Sequence, residues 1–376
     1  MLKVLNIVGA RPNFMKMAPI IEAMNKYPDK IRHLLIHTGQ HYDQKMSKSF
    51  FDDLGMPKPD IDLEVGSGTH AEQTARVMVE FEKVCLREKP DLVIVVGDVN
   101  STMACAITAK KLMTKVAHVE AGLRSRDMTM PEEINRLCTD VLCDFLFTTD
   151  HFANENLQAE GVSKEKIYFV GNVMIDSLLA HRERAKDLDT LENMGLVKSK
   201  YATVTIHRPS NVDDRQILTG IFEALREIAK SIPLLFPMHP RTKKMLDSFG
   251  LQDYVSPLEK ASGRLESGLW STEPLGYLEF LNLNMNARFV LTDSGGLQEE
   301  TTVLGVPCIT IRDNTERPIT CEVGTNIVIG SSKGKIIETA KNVLMNKSSY
   351  KGVVPEKWDG MAAERITEAL LRAFNK

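Results

Sequence analysis

Short, nearly unbroken apolar runs recur along the chain, each followed by a polar loop and a stretch of helical periodicity. In the first half they are residues 4–8, 31–36, 92–96, 116–119, 145–147 and 168–170. In the second they are 203–206, 234–237, 289–291 and 309–311. A strand that is apolar on both faces must be buried on both faces. With helices between the strands, a parallel sheet covered on each side meets that condition. Such a sheet gathers ligands beyond the C-terminal ends of its strands, where Arg11, Asp98 and Glu120 fall. The two series are separated by HRERAKDLDTLENMGLVKSK, residues 181–200, which is highly charged and has no strand signal. At 376 residues the chain is long enough for two domains with full cores. We therefore expect an α/β protein of two doubly wound domains facing a central cleft. They are residues 1–180, completed by an amphipathic C-terminal helix within 358–376, and residues 201–357, joined by a linker at 181–200.

The most informative single stretch is FVLTDSGGLQEETTVLGVPCITIRDNTERP, residues 289–318. A buried strand ends at Leu291, a Ser294-Gly295-Gly296 turn follows, and a helix opens. Glycines after a strand let backbone N–H groups approach an anion, and the helix N-terminus adds partial positive charge. Thr292, Asp293 and Ser294 are also suitable helix caps. Glu299 and Glu300 stand in the first turns, where a carboxylate can reach ribose hydroxyls. Arg312 and Arg317 return after the next strand and can close on phosphate. Glycines, paired Glu and returning Arg together point to a nucleotide diphosphate.

Composition narrows the function. A hydrophobic content of 43%, a charged content of 26% and a net charge of −3 describe a globular protein with no nucleic-acid or membrane footprint. No apolar run approaches the roughly 18 residues that span a bilayer. MLKVLNIVGARP reads as a strand and not as a signal peptide, so we expect a cytoplasmic protein. The six cysteines, at 85, 105, 138, 143, 308 and 321, form no CxxC pair and read as buried free thiols. His33, His37 and His41 recur every four residues, but on a strand and loop, with no carboxylates to complete a metal site. Gly66-Ser67-Gly68-Thr69-His70-Ala71 matches a GxGxxA dinucleotide fingerprint, yet it follows a weak acidic strand outside the first βα unit. It reads as a loop before a helix. No metal and no nicotinamide are expected.

Three carboxylates lie at strand ends or just beyond. Asp98 precedes a polar helix start and would serve equally as a cap. Glu120 ends the apolar strand VAHV, where burial suits acid–base work. Glu132, in Pro131-Glu132-Glu133, is either a proton-transfer group or a stabilising first-turn charge. Arg11 and Lys16 follow the first strand. His207-Arg208 ends the first strand of the second half, and His239 ends another.

The motifs GARPNFMK, TGQH, GDVNST, HVEAGLRS, PEEINR, TDSGGLQEE and RDNTERP, in this order from Gly9 to about Pro318, resemble the non-hydrolysing UDP-N-acetylglucosamine 2-epimerases. The resemblance implies the GT-B fold of two Rossmann-like domains, a homodimer, and no metal or cofactor. It implies that Asp98, Glu120, Glu132 and His207 are catalytic. Arg11, Lys16, Asp98, Glu120, His207, Phe280, Ser294, Gly295, Gly296, Glu300 and Arg317 would bind UDP-N-acetylglucosamine and UDP-N-acetylmannosamine. Phe280 would contact uracil, although core packing explains it as well. Gln40, His41 and Arg208 would belong to a regulatory site. One departure bears on that: many bacterial members read His-Arg-Arg-Glu-Asn where this chain has His207-Arg208-Pro209-Ser210-Asn211.

The implied chemistry begins with loss of UDP from C1 together with the C2 proton, giving 2-acetamidoglucal. UDP then adds back as a proton arrives on the opposite face of C2. Asp98, Glu120 and Glu132 are the candidates for the two proton transfers. A hydrolysing epimerase, which releases N-acetylmannosamine, and a GT-B glycosyltransferase are the alternatives among enzymes. A nucleotide-sugar sensor would keep the Ser-Gly-Gly loop without needing three carboxylates.

Overall fold

The computed structural model describes residues 1–39, 57–261, 263–346 and 350–376. The chain forms two compact units, one of Met1–Ala180 with Glu356–Lys376 and the other of His181–Pro355.

The first unit carries β1 (Leu2–Val8), β2 (Ile31–His37), β3 (Ile61–Asp62), β4 (Leu92–Val96), β5 (Lys115–Ala121), β6 (Phe145–Thr148) and β7 (Ile167–Phe169). They make one parallel sheet in the order β3-β2-β1-β4-β5-β6-β7. The second unit carries β8 (Ala202–Thr205), β9 (Leu234–Pro237), β10 (Ser256–Pro257), β11 (Leu269–Thr272), β12 (Val290–Thr292), β13 (Cys308–Thr310) and β14 (Asn326–Val328). Its order is β10-β11-β9-β8-β12-β13-β14. In each sheet the order reverses beside the first strand, at β1/β4 and at β8/β12. Loops diverge at such a switch point and leave a crevice for ligands.

The central strands are mostly apolar because helices cover both faces. Every residue of β4 is buried, from Leu92 to Val96. The edge strands are another matter. β3, β10 and β14 at the edges, and β11 beside β10, are short and partly exposed, so they lack the continuous apolar signal. The GxGxxA segment is the loop that leads into helix His70–Glu88, with Thr69 as its N-cap. Thr69 accepts the Glu72 N–H and the Glu72 carboxylate accepts the Thr69 N–H, a reciprocal capping box.

Residues 181–200, expected as a linker or linker helix, are partly helical and fall in the second unit. Helix Val173–Lys186 continues through their first third, and a short helix Thr190–Asn193 follows. Helix Ala362–Ala373 lies against helix Arg11–Asn25 in the first unit. Asp176 accepts the N–H groups of Ala362 and Ala363 at 3.2 and 2.7 Å and caps that C-terminal helix. The buried Trp358 indole donates to the Thr149 carbonyl at 3.0 Å. Of the cysteines, 85, 105, 143 and 308 are buried, Cys138 is half-buried and Cys321 is exposed, so the expectation of buried thiols fails for the last. His37 pairs with Asp62 and His33 with Asn25. His41 lies outside the described residues.

Candidate active site

In the first unit, β4 ends in Gly97-Asp98. Gly97 has φ +68°, and a Cβ there would stand 3.0 Å from the Lys16 ammonium and 3.4 Å from the Glu120 carboxylate. Glycine therefore lets the β4 loop, helix Arg11–Asn25 and the end of β5 converge. Lys16 and Glu120 form an ion pair, with both side chains more than 90% buried. Glu120 sits where the β5–β6 register shifts between Val119 and Ala121, and it has φ +73°. A bulge with a non-glycine residue in the left-handed region stores strain and re-aims a side chain. Here it turns a carboxylate toward Lys16 on the far side of the β4 loop.

Asp98 is held by Arg136, whose Nε and Nη2 donate to Oδ2 at 3.1 and 2.5 Å. Asn135 donates to the Asp98 carbonyl at 2.9 Å. Both come from helix Pro131–Leu142. Of its two first-turn carboxylates, Glu133 is buried and Glu132 half-buried. Glu133 accepts the N–H groups of Ser125 and Arg126 and pairs with Arg136 at 2.6 Å. Burial alone would raise its carboxyl, but those two N–H groups and Arg136 hold it below the usual range. Glu133 is thus committed to holding the loop, and Glu132 is the more accessible of the two. Arg11 opens helix Arg11–Asn25. Gln40 and His41 lie outside the described residues.

In the second unit, the loops after β8 and β12 meet over Asp293, which is fully buried. Its carboxylate accepts the His207 and Arg208 N–H groups at 2.9 and 2.8 Å and the Asn211 amide at 3.1 Å. It also faces His207 Nδ1 at 3.0 Å. Burial would raise this carboxyl, yet the His207 ring and the two backbone N–H groups outweigh it and keep Asp293 low. Pairing Nδ1 with a carboxylate leaves Nε2 of the half-exposed ring as its other working atom. The His239 ring stands 5.3 Å away, centroid to centroid.

Ser294 occupies the N-cap position of helix Gly295–Leu304 without a side-chain capping bond. Gly296 follows in the first turn. A Cβ on Gly295 would run into Arg317 Nη1 and would lie 2.8 Å from Glu316 Oε1. The glycine thus makes room for a guanidinium directly over the helix N-terminus. Arg317 pairs with Glu299 at 2.7 Å and Glu316 at 2.6 Å, and Arg312 pairs with Glu316 at 2.8 Å. The Arg208 guanidinium reaches the same Glu316 at 4.0 Å. Three arginines and a helix N-terminus face two glutamates, an excess of positive charge suited to phosphate.

One turn on, Glu300 is buried. Burial, and then the neighbouring Glu299 charge, push its carboxyl up to about 8. Burial and then Glu300 raise the hydroxyl of Tyr277 in turn. Phe280 is half-buried and packs against the cluster containing Leu196, Tyr201 and Leu235.

Sequence patterns give no sign of Arg136 as the residue that holds Asp98, of Glu133 as the one that holds the Ser125–Arg126 backbone, or of Glu316 as the hub of the arginines. Asp293 as the anchor of His207 does carry a legible signal, a carboxylate closing an apolar strand, although the same signal fits a helix cap.

The chain matches the model of the UDP-N-acetylglucosamine 2-epimerase family over residues 22–371. It is 44% identical over 371 residues to the UDP-N-acetylglucosamine 2-epimerase of Methanocaldococcus jannaschii, with 97% of each chain covered. It is 40% identical over 377 residues to the UDP-2,3-diacetamido-2,3-dideoxy-D-glucuronate 2-epimerase of Pseudomonas aeruginosa, covering 99% of this chain and 100% of that one. The structure of the M. jannaschii enzyme in complex with UDP-GlcNAc and UDP superposes with a TM-score of 0.88, over 99% of this chain and 100% of that one.

Proposed function

The chain belongs to the UDP-N-acetylglucosamine 2-epimerase family, and from that premise we infer that it interconverts UDP-N-acetylglucosamine and UDP-N-acetylmannosamine. The protein is an isomerase, and the reaction is reversible and non-hydrolysing. The observation that carries this reading is the arginine cluster over the N-terminus of helix Gly295–Leu304, with the buried Glu300 one turn beyond. That pairing suits a diphosphate joined to a ribose.

The C2 hydrogen leaves as a proton and returns as a proton, so no oxidant or reductant is needed. In the first step the C1–O bond breaks, its electrons go to the β-phosphate of UDP, and a carboxylate takes the C2 proton. The product is 2-acetamidoglucal. Arg317, the Ser294-Gly295-Gly296 turn and His207 stabilise the charge that develops on the phosphate. In the second step UDP adds back to C1, and a second group delivers a proton to the opposite face of C2. Asp98, Glu120 and Glu132 supply these transfers. Lys16 pairs with Glu120 and Arg136 with Asp98, so each of these two carboxylates has a cation beside it. Arg11 contributes to sugar or phosphate binding and Phe280 to the uracil side. Arg208 shares Glu316 with the phosphate cluster.

A second reading of the substrate is favoured by the P. aeruginosa relative, whose sugar carries a second acetamido group and a carboxylate. UDP-N-acetylglucosamine and that uronate, incubated in turn with the protein in D₂O and followed by NMR, decide between them. We expect the epimer of UDP-N-acetylglucosamine with deuterium at C2 and no free sugar. Free N-acetylmannosamine would mean hydrolysis, and turnover of the uronate alone would move the assignment.

We also propose a cytoplasmic homodimer. Among the described residues no helix is long and apolar enough to cross a membrane. Helix Pro131–Leu142 is built inside out. Its buried residues are Glu133, Asn135, Arg136, Thr139 and Asp140, whereas Ile134 and Val141 are 43% and 72% exposed. With the half-exposed Leu137 and Cys138 they make an apolar stripe at i, i+3, i+4 and i+7. Helix His70–Glu88, which like helix Pro131–Leu142 packs against helix Asn100–Lys111, exposes Val79 and Leu86. An exposed apolar stripe of this kind suits a second copy of itself.

A further inference from the structure

We propose that His118 stands as a buried imidazolium that pins the two strand-end loops bearing Asp98 and Glu120 to helix Pro131–Leu142, as a positioning residue. The role in catalysis rests on the epimerase reading, but the charge state does not. His118 lies in β5 and is fully buried. Its Nε2 stands 2.8 Å from the Gly97 carbonyl and its Nδ1 stands 2.6 Å from Asp140 Oδ1. A carbonyl only accepts, so Nε2 carries a hydrogen. The other contact holds one proton between Nδ1 and Oδ1, and the surroundings of Asp140 decide which atom keeps it. Asp140 Oδ2 accepts the Gly122 N–H at 3.0 Å and faces Arg124 Nη2 at 2.8 Å. A cation and an N–H group on the same carboxyl favour its ionised form. The proton therefore rests on Nδ1, and the ring donates twice.

The consequence is mechanical. Gly97 immediately precedes Asp98, and Gly122 follows Glu120 by two residues. One imidazolium and one carboxylate thus tie both loops to the helix that also supplies Arg136 to Asp98 and exposes the apolar stripe. The charged neighbours are Asp140 on that helix and Arg124, which is itself paired with Glu160. Positive and negative groups balance, so the core carries no net charge.

The test uses the full-length protein with its histidine rings labelled with ¹⁵N. At pH 8 we expect both His118 nitrogens to show attached hydrogen, with His118→Asn identifying the signals by their disappearance. Where that variant fails to fold, neutron diffraction from wild-type crystals reads the same two positions. In a folded His118→Asn we expect kcat to fall on the order of 10²-fold, as for an ångström-scale misplacement, with UDP affinity unchanged. A bare Nδ1 or Nε2 at pH 8 overturns the imidazolium. Wild-type kcat in folded His118→Asn overturns the positioning role. An inactive wild-type protein with a doubly protonated ring would sink the epimerase reading and leave the charge state standing.

Discussion

Asp293 accepts the backbone N–H of His207 at 2.9 Å and faces its ring Nδ1 at 3.0 Å, so a single buried carboxylate sets both the position and the tautomer of that histidine. The two residues are 86 positions apart and end neighbouring strands, β8 and β12. Asp293→Asn keeps the shape but offers an amide to Nδ1. We expect kcat to fall by about 10²-fold or more while the variant stays folded. Circular dichroism with steady-state kinetics checks this, and near-normal turnover would remove Asp293 from the machinery.

Asp98→Asn, Glu120→Gln and Glu132→Gln should each slow turnover by about 10²–10⁴-fold with little change in UDP affinity. A residue that serves only as a cap would instead cost about 1 kcal/mol of stability. Turnover and melting temperature measured side by side separate the two roles. The variant lacking the base should also lose deuterium exchange at C2.

Gly295→Ala drives a methyl group into the Arg317 guanidinium, which must move off the helix N-terminus. We expect UDP affinity to fall about tenfold, or about 1.4 kcal/mol, as read by calorimetry. An alanine that binds UDP as wild type does would show that Arg317 is not needed over the helix.

Glu300 makes stability depend on pH in a stated direction. Its folded carboxyl is raised from 4.5 to about 8. Below the unfolded value both states hold the proton, and the folded protein has its full stability. As pH rises from 4.5 through 8 the unfolded chain releases the proton first, so stability is lost. Moving a carboxyl's titration by one pH unit is worth about 1.4 kcal/mol, and the loss is on the order of a few kcal/mol. Glu300→Gln should flatten the fall in melting temperature between pH 5 and pH 8. A variant that follows the wild-type curve would show that Glu300 does not titrate in this range.

The inside-out helix is tested by charge. Val141→Glu, on the exposed stripe, should convert a dimer into a monomer by light scattering without unfolding the chain. A wild-type monomer at micromolar concentration would count against the interface outright.

Much of this is open to reading from residues alone. Alternating apolar runs and helical stretches demand buried parallel sheets, because no other packing hides both faces of Leu92–Val96. The Ser294-Gly295-Gly296 turn, Glu300 and Arg317 follow from local rules about glycines, helix ends and charge. The edge strands β3, β10 and β14 are not legible, since a strand paired on one side needs no continuous apolar run.

What only tertiary structure decided is partner choice. Lys16 meets Glu120 across 104 residues and Arg136 meets Asp98 across 38. Sheet order brings those pairs together, and sheet order is a long-range property that no local pattern encodes. Helix phase, set by packing, buries Glu133 and leaves Glu132 the more accessible. A bulge in β5 aims Glu120, because register is settled between strands and not within one. The sequence alone therefore determined which chemical groups the chain has and that strand ends present them. Folding determined which carboxylate is anchored, which is strained, and which cation stands beside each.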